Sequence, residues 1–131
     1  MRILVVDDDY LCREQMIDHL QSLGRCEIAP NGEIALQLFQ EAQKSPFPYE
    51  LITLDVEMTG IMGPDVVLKM REFEKEIKTP PGKEAKIIMV TSRDELSMVS
   101  KAYFKGCNAY LTKPAQAEAV QKTLKELNII R

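Results

Sequence analysis

Four short runs of the chain, Ile3 to Val6, Leu51 to Leu54, Ile87 to Val90 and Ala109 to Leu111, are dominated by apolar residues without strict alternation. Runs that are apolar on both faces suit strands covered by helices on both sides, as in a parallel sheet. A fifth, less apolar run from Cys26 to Ala29 completes the set. Between the runs the spacing changes to that of helices. Leu11 to Leu23 carries Met16, Leu20 and Leu23, and Gly24 offers a C-terminal stop. Ile34 to Ala42 places Ile34, Leu38 and Ala42 on one face. Pro64 to Phe73 opens with proline at a first helical position, Asp94 to Lys105 stops at Gly106, and Ala115 to Leu127 offers Ala119, Leu124 and Leu127 for packing. The strand–helix alternation therefore repeats five times, which predicts an α/β, doubly wound, five-stranded parallel sheet in a single domain over residues 1–131. Lys78 to Lys83, with two prolines and a glycine, reads as an exposed loop within that domain.

Composition narrows the class. The chain has 131 residues, enough for one core, and 45% hydrophobic with 28% charged residues is an ordinary globular balance. A net charge of −3 and no long Lys/Arg run argue against direct nucleic-acid binding. No apolar stretch approaches membrane-spanning length, and the N-terminus turns acidic too soon for a signal peptide. Cys12, Cys26 and Cys107 are odd in number and widely spaced, which points to reduced thiols in a cytoplasmic protein rather than a disulfide frame or zinc site. The single histidine, His19, falls within the first helix and reads as a surface or packing residue, and the seven methionines read as core and loop filler.

Ligands of such sheets bind beyond the carboxyl ends of the strands. Here the first strand ends in Asp7-Asp8-Asp9, the third in Asp55, the fourth in Thr91-Ser92, and Lys113-Pro114 follows the fifth. Each piece has a plain alternative: the acidic triplet as a helix N-cap with dipole-favouring acids, Asp55 as a turn-initiating residue. Gathered at one sheet edge, however, Asp7, Asp8 and Asp55 repel each other and call for a hard divalent cation with oxygen ligands.

Ile3-Leu4-Val5-Val6-Asp7-Asp8, Leu54-Asp55 with Met58 and Gly63 following, Val90-Thr91-Ser92, and Gly106 through Tyr110 to Lys113-Pro114 stand in the order and at the separations of a bacterial response-regulator receiver domain. The chain resembles that family over essentially its whole length and is similar to the chemotaxis response regulator. The resemblance implies a flavodoxin-like receiver fold with strand order 2-1-3-4-5. It implies Asp55 as acceptor of a phosphoryl group from a sensor histidine kinase or phosphotransfer protein, and Asp7, Asp8, Asp55 and the backbone carbonyl of Glu57 as ligands of Mg²⁺. Thr91 and Lys113 would contact the phosphoryl group, Thr91 and Tyr110 would form the switch, and the bond before Pro114 would be cis. The protein would act on a downstream protein target, in chemotaxis as one setting, through the fourth helix, fifth strand and fifth helix. It would be a monomer or a weak phosphorylation-dependent dimer, and no enzyme beyond its own phosphorylation and dephosphorylation. Leu96, Val99 and Tyr103 form one stripe of the fourth helix; Met98, Ala102 and Phe104 fall elsewhere around it, so apolar surface should be exposed beside Tyr110.

The chain departs from the family pattern where Thr59, Ile61 and Met62 replace the usual Pro, Met and Asp after the acceptor. Glu57 and Arg93, which by resemblance face the attacking water, form an unusual pairing able to close as an ion pair. Competing readings fit less well. A haloacid-dehalogenase-type phosphatase shares a strand-end Asp and Mg²⁺ but wants a larger chain with a cap. A flavodoxin-like nucleotide domain wants a glycine-rich loop where Asp7-Asp8-Asp9-Tyr10 stands. A degenerate receiver acting only as an interaction module would lack the acids or Lys113. Ending at Arg131, the sequence reads either as a stand-alone receiver or as a fragment of a longer protein.

Overall fold

The computed structural model describes residues 1–92 and 96–131. Its elements are β1 (Arg2–Val6), α1 (Tyr10–Leu20), β2 (Arg25–Ala29), α2 (Gly32–Gln43), β3 (Leu51–Asp55), α3 (Gly63–Glu76), β4 (Lys86–Thr91), α4 (Ser97–Lys105), β5 (Ala109–Thr112) and α5 (Ala117–Glu126). The strands form one sheet in the order β2-β1-β3-β4-β5, every neighbour pair parallel. The architecture is the α/β fold and strand order expected. The proposed start of the fourth helix at Asp94, and the Glu57–Arg93 pair, lie outside the described residues.

The two-residue period of the strands sorts the core into two layers. Leu4, Val6, Ile52, Leu54, Ile87 and Met89 pack with Ala35 and Phe39 of α2, Val66 and Met70 of α3 and Ala102 of α4. Ile3, Val5, Leu51, Ile88, Val90 and Leu111 pack with Met16 and Leu20 of α1 and Val120 and Leu124 of α5. Apolar burial on both faces is why these strands carry no alternating pattern. Each fully buried Ile, Leu or Phe of these layers contributes about 1.5–3 kcal/mol relative to exposure.

Several packing assignments need correction. In α2 the buried face is Ala35, Phe39 and Ala42, while Ile34 is exposed and Leu38 only half-buried. Asn31 caps this helix by accepting from the Ile34 amide at 2.9 Å. In α5, Ala119 is exposed and Val120 is buried instead. The apolar surface expected to stay exposed on the fourth helix is there: Leu96, Tyr103 and Phe104 are exposed, and α4 buries Val99 and Ala102. Gly24 is not the cap of α1, which ends at Leu20 with Gln21 as its C-cap; it lies where a Cβ would stand 2.0 Å from the Met1 carbonyl oxygen. Gly106 does end α4, with φ of 115°. The exposed loop falls between α3 and β4 as expected.

Candidate functional site

Each functional side chain is delivered by the end of a strand. β1 releases the chain at Asp7, whose amide still donates to the Ala29 carbonyl of β2's end at 3.2 Å. The Asp7 carboxylate then accepts from the Asp9 amide at 2.9 Å, folding the acidic triplet back on itself. Asp9 turns the next corner as N-cap of α1, accepting from Leu11 at 2.8 Å and Cys12 at 3.3 Å. These two amides hold its carboxyl below the ordinary range. The plain capping alternative is therefore true of Asp9 and not of Asp7 or Asp8.

Asp55 closes β3 and is held from behind. The Val56 amide donates to the Val90 carbonyl at 2.9 Å, and the Gly63 amide donates to the Val56 carbonyl at 2.8 Å. A Cβ at Gly63 would lie 2.7 Å from the Asp55 carbonyl oxygen, so only glycine lets α3 start this close to the acid. Lys113 is placed by its amide, which donates to the Thr91 carbonyl at 2.7 Å. The following peptide bond to Pro114 is cis.

These ladders converge on one cluster. Carboxylate oxygens of Asp7, Asp8 and Asp55 lie within 4.8 Å of one another. The Lys113 ammonium stands 3.2 Å from an oxygen of Asp7 and 3.2 Å from an oxygen of Asp55. Asp7 and Asp55 are buried and Asp8 is exposed. Burial pushes the Asp55 carboxyl up to about 7; the charge of Asp7 adds to this, Lys113 opposes it, and Asp8 raises it further. Burial pulls the Lys113 ammonium down, but Asp55 and Asp7 outweigh that and leave it above its ordinary value. Among the described residues, Lys113 pairs with two of the three acids, and the hard oxygen donor set with its excess of negative charge fits a divalent metal ion.

The open side of the cluster is a pocket lined by Asp8, Asp9, Asp55, Glu57, Met58, Thr59, Ser92 and Lys113. Thr91 does not line it. It is fully buried at the end of β4, and its hydroxyl donates to the Ser92 carbonyl at 3.0 Å. Tyr110 is also away from the pocket, 42% exposed on the outer side of β5, with its ring edge-on to Tyr103 at 6.5 Å. Phe104, 92% exposed, extends the apolar surface expected on this helix.

Sequence reasoning missed Arg13. From the first turn of α1 its guanidinium donates to the Asp7 backbone carbonyl at 2.9 Å, bracing the acidic loop from outside. Its guanidinium also lies 5.8 Å from the Tyr10 ring centroid. A basic residue six positions after a strand-end acid is too common a spacing to have signalled this.

The chain spans about half the length of the curated relatives it matches. It is 31% identical over 127 residues to the sensory transduction protein LytT of Bacillus subtilis, covering 96% of this chain and 47% of that protein. Among solved structures it is similar to the chemotaxis response regulator CheY4 of Vibrio cholerae, with 28% identity, a TM-score of 0.74 and 98% of both chains covered. The receiver domain of Saccharomyces cerevisiae Ssk1, solved with the phosphotransfer protein Ypd1, shares the fold at a TM-score of 0.79 and 24% identity, over 96% of this chain and 87% of that one. The family described as response regulator receiver domain matches residues 3–125, and the chain belongs to that family, the receiver domains of two-component signalling.

Proposed function

We propose that this domain is a phosphoacceptor switch in which Asp55 takes a phosphoryl group from the phosphohistidine of a sensor kinase or phosphotransfer protein. An oxygen of the Asp55 carboxylate attacks phosphorus, the bond to the histidine nitrogen breaks with its electron pair returning to the imidazole, and an acyl phosphate results. The observation that carries this reading is the Lys113 ammonium at 3.2 Å from both Asp7 and Asp55, with Asp8 at the open side.

The acids Asp7, Asp8 and Asp55, with the backbone carbonyl of Glu57, would hold Mg²⁺. Bound there, the ion neutralises the acids and the charge spread over the transferring oxygens. Lys113 is free to follow the charge from carboxylate to phosphoryl oxygen, a charge-assisted bond about twice as strong as a neutral one. Thr91 would exchange its bond to the Ser92 carbonyl for one to the phosphoryl group, and the Tyr110 ring, now outward against Tyr103, would turn inward. That movement biases two existing states rather than making a new one. The surface of α4, β5 and α5 would then be read by a downstream protein, a chemotaxis target being one such partner. The domain turns over nothing but its own acyl phosphate.

Incubation with acetyl phosphate and Mg²⁺, followed by intact-mass measurement, tests this. A phosphoryl adduct on the wild type and none on Asp55→Asn is the expected result. No adduct, or an equal one on Asp55→Asn, overturns it.

A further inference from the structure

A second cavity, of about 190 Å³, has both members of the Asp7–Lys113 pair in its lining. Its floor is the sheet, with Val5, Val6, Thr53 and Val90; one wall is Cys12, Gln15 and Met16 of α1; the other is Lys113, Pro114 and Ala115 of the loop between β5 and α5. His19, the sole histidine, ties the two walls together with a ring-nitrogen hydrogen bond to the Ala115 carbonyl at 2.9 Å. The histidine therefore straps α1 to the segment that carries Lys113.

Protein interiors are close-packed, and an apolar cavity of ~150 Å³ is already large enough to stay dry and bind a benzene ring. This one is larger and mostly apolar, with Asp7, Gln15, Thr53 and Lys113 among its lining groups. Two of its lining groups, Asp7 and Lys113, also form part of the acidic cluster. A molecule seated there would rest against Lys113 and Pro114 on one side and Met16 on the other. It could therefore favour one position of the Lys113 ammonium over another.

We infer that this cavity is a binding site for a compact apolar molecule, ring-sized with at most one polar group for Gln15 or Thr53, and that its occupant regulates phosphoryl acceptance by holding the Lys113 loop. The regulatory half rests on the phosphoacceptor reading; the binding half does not.

Benzene is a suitable probe. Titrated into the wild type, it should give saturable amide chemical-shift changes centred on Val5, Val90, Cys12 and Ala115. Ala115→Leu fills the cavity while keeping the backbone carbonyl bonded by His19, and should abolish those changes; Met16→Leu is a second variant that reshapes the wall with little change in volume and should retain them. In parallel, labelling of Asp55 by acetyl phosphate should change several-fold in rate on adding benzene to the wild type and not on adding it to Ala115→Leu. Absence of saturable shifts, or identical shifts in Ala115→Leu, overturns the site. Binding with an unchanged labelling rate overturns the regulation. A wild type that takes no label even without benzene would instead remove the phosphoacceptor reading and leave the shift titration to decide the site on its own.

Discussion

The two rims of the sheet treat buried charge in opposite ways. At the rim formed by the amino ends of the strands, the buried Glu74 and, near that rim in the sheet, the half-buried Glu27 each have their own partners. Glu74 accepts from Arg71 at 2.7 Å and from the Ala85 amide at 2.8 Å. Arg71 in turn donates to the Gly106 carbonyl, the Ala85 carbonyl and the Asn108 side chain, and Asn108 accepts from the Ile87 amide. Glu27 is bound by two nitrogens of Arg2 and by the Tyr49 hydroxyl. Arg2 is the main cause that holds its carboxyl below the ordinary range. At the carboxyl rim Asp7 and Asp55 share Lys113, with Asp8 beside them, and Asp55 is pushed up to about 7 instead. Among the described residues, one rim satisfies its charges and joins helices to strands; the other sets three acids beside one ammonium and so has somewhere to put a cation.

The largest effect that can break this contrast is at the satisfied rim. Arg71→Met leaves Glu74 buried without its cation and should cost about 3–5 kcal/mol in urea denaturation. The double change Arg71→Met with Glu74→Leu should recover much of that loss. If the single variant is as stable as the wild type, the rim is not held by this pair.

The next effect has the opposite sign and belongs to the strained rim. A carboxyl whose folded value, about 7, lies above its ordinary 3.8 makes the folded state lose stability as pH rises between those values. Asp55→Asn removes that loss. Without divalent ions it should be more stable than the wild type by on the order of 2 kcal/mol at pH 8, with the difference vanishing below about pH 4. Thermal melts across that range in chelator give the answer; a variant less stable than the wild type at pH 8 contradicts the contrast.

Tyr49→Phe deletes a buried hydroxyl that donates to Glu27, and burial together with that bond pushes the phenol up to about 12. The loss should be about 1–2 kcal/mol, read by the same denaturation. Smallest in stability is Tyr110→Ala on the exposed face, within about 0.5 kcal/mol. It should weaken binding of a downstream partner, as should Tyr103→Ala, while Asp55 is labelled as before. Unchanged partner binding would remove the α4–β5–α5 face as the output surface.

What could be read in the sequence follows from how locally it is encoded. Buried parallel strands are continuous apolar runs, so Ile3 to Val6 and Ile87 to Val90 announced themselves, and the residues just after such runs were bound to meet at one edge. The rotation of the helices was less legible. Ile34 looked like core because it is apolar, yet α2 packs with small Ala35 and large Phe39 toward the sheet. Ala119 was misjudged in the same way, by type rather than by phase. The Arg71–Glu74–Asn108 network was invisible because Arg71 reaches residues 35 and 37 positions away along the chain, and nothing but the fold brings them together. The position of Thr91, one step behind the pocket wall, was equally a matter of tertiary packing.

The central claim is that the carboxyl rim is built around charge that a divalent ion completes. The most direct test is calorimetric titration of Mg²⁺ into the wild type at pH 7 in two buffers of different ionisation enthalpy. Because Asp55 titrates near that pH, binding should be saturable and should release protons, seen as a buffer-dependent heat, and Asp55→Asn should lose that dependence. No saturable heat in the wild type, or the same buffer-dependent heat in Asp55→Asn, would contradict the account.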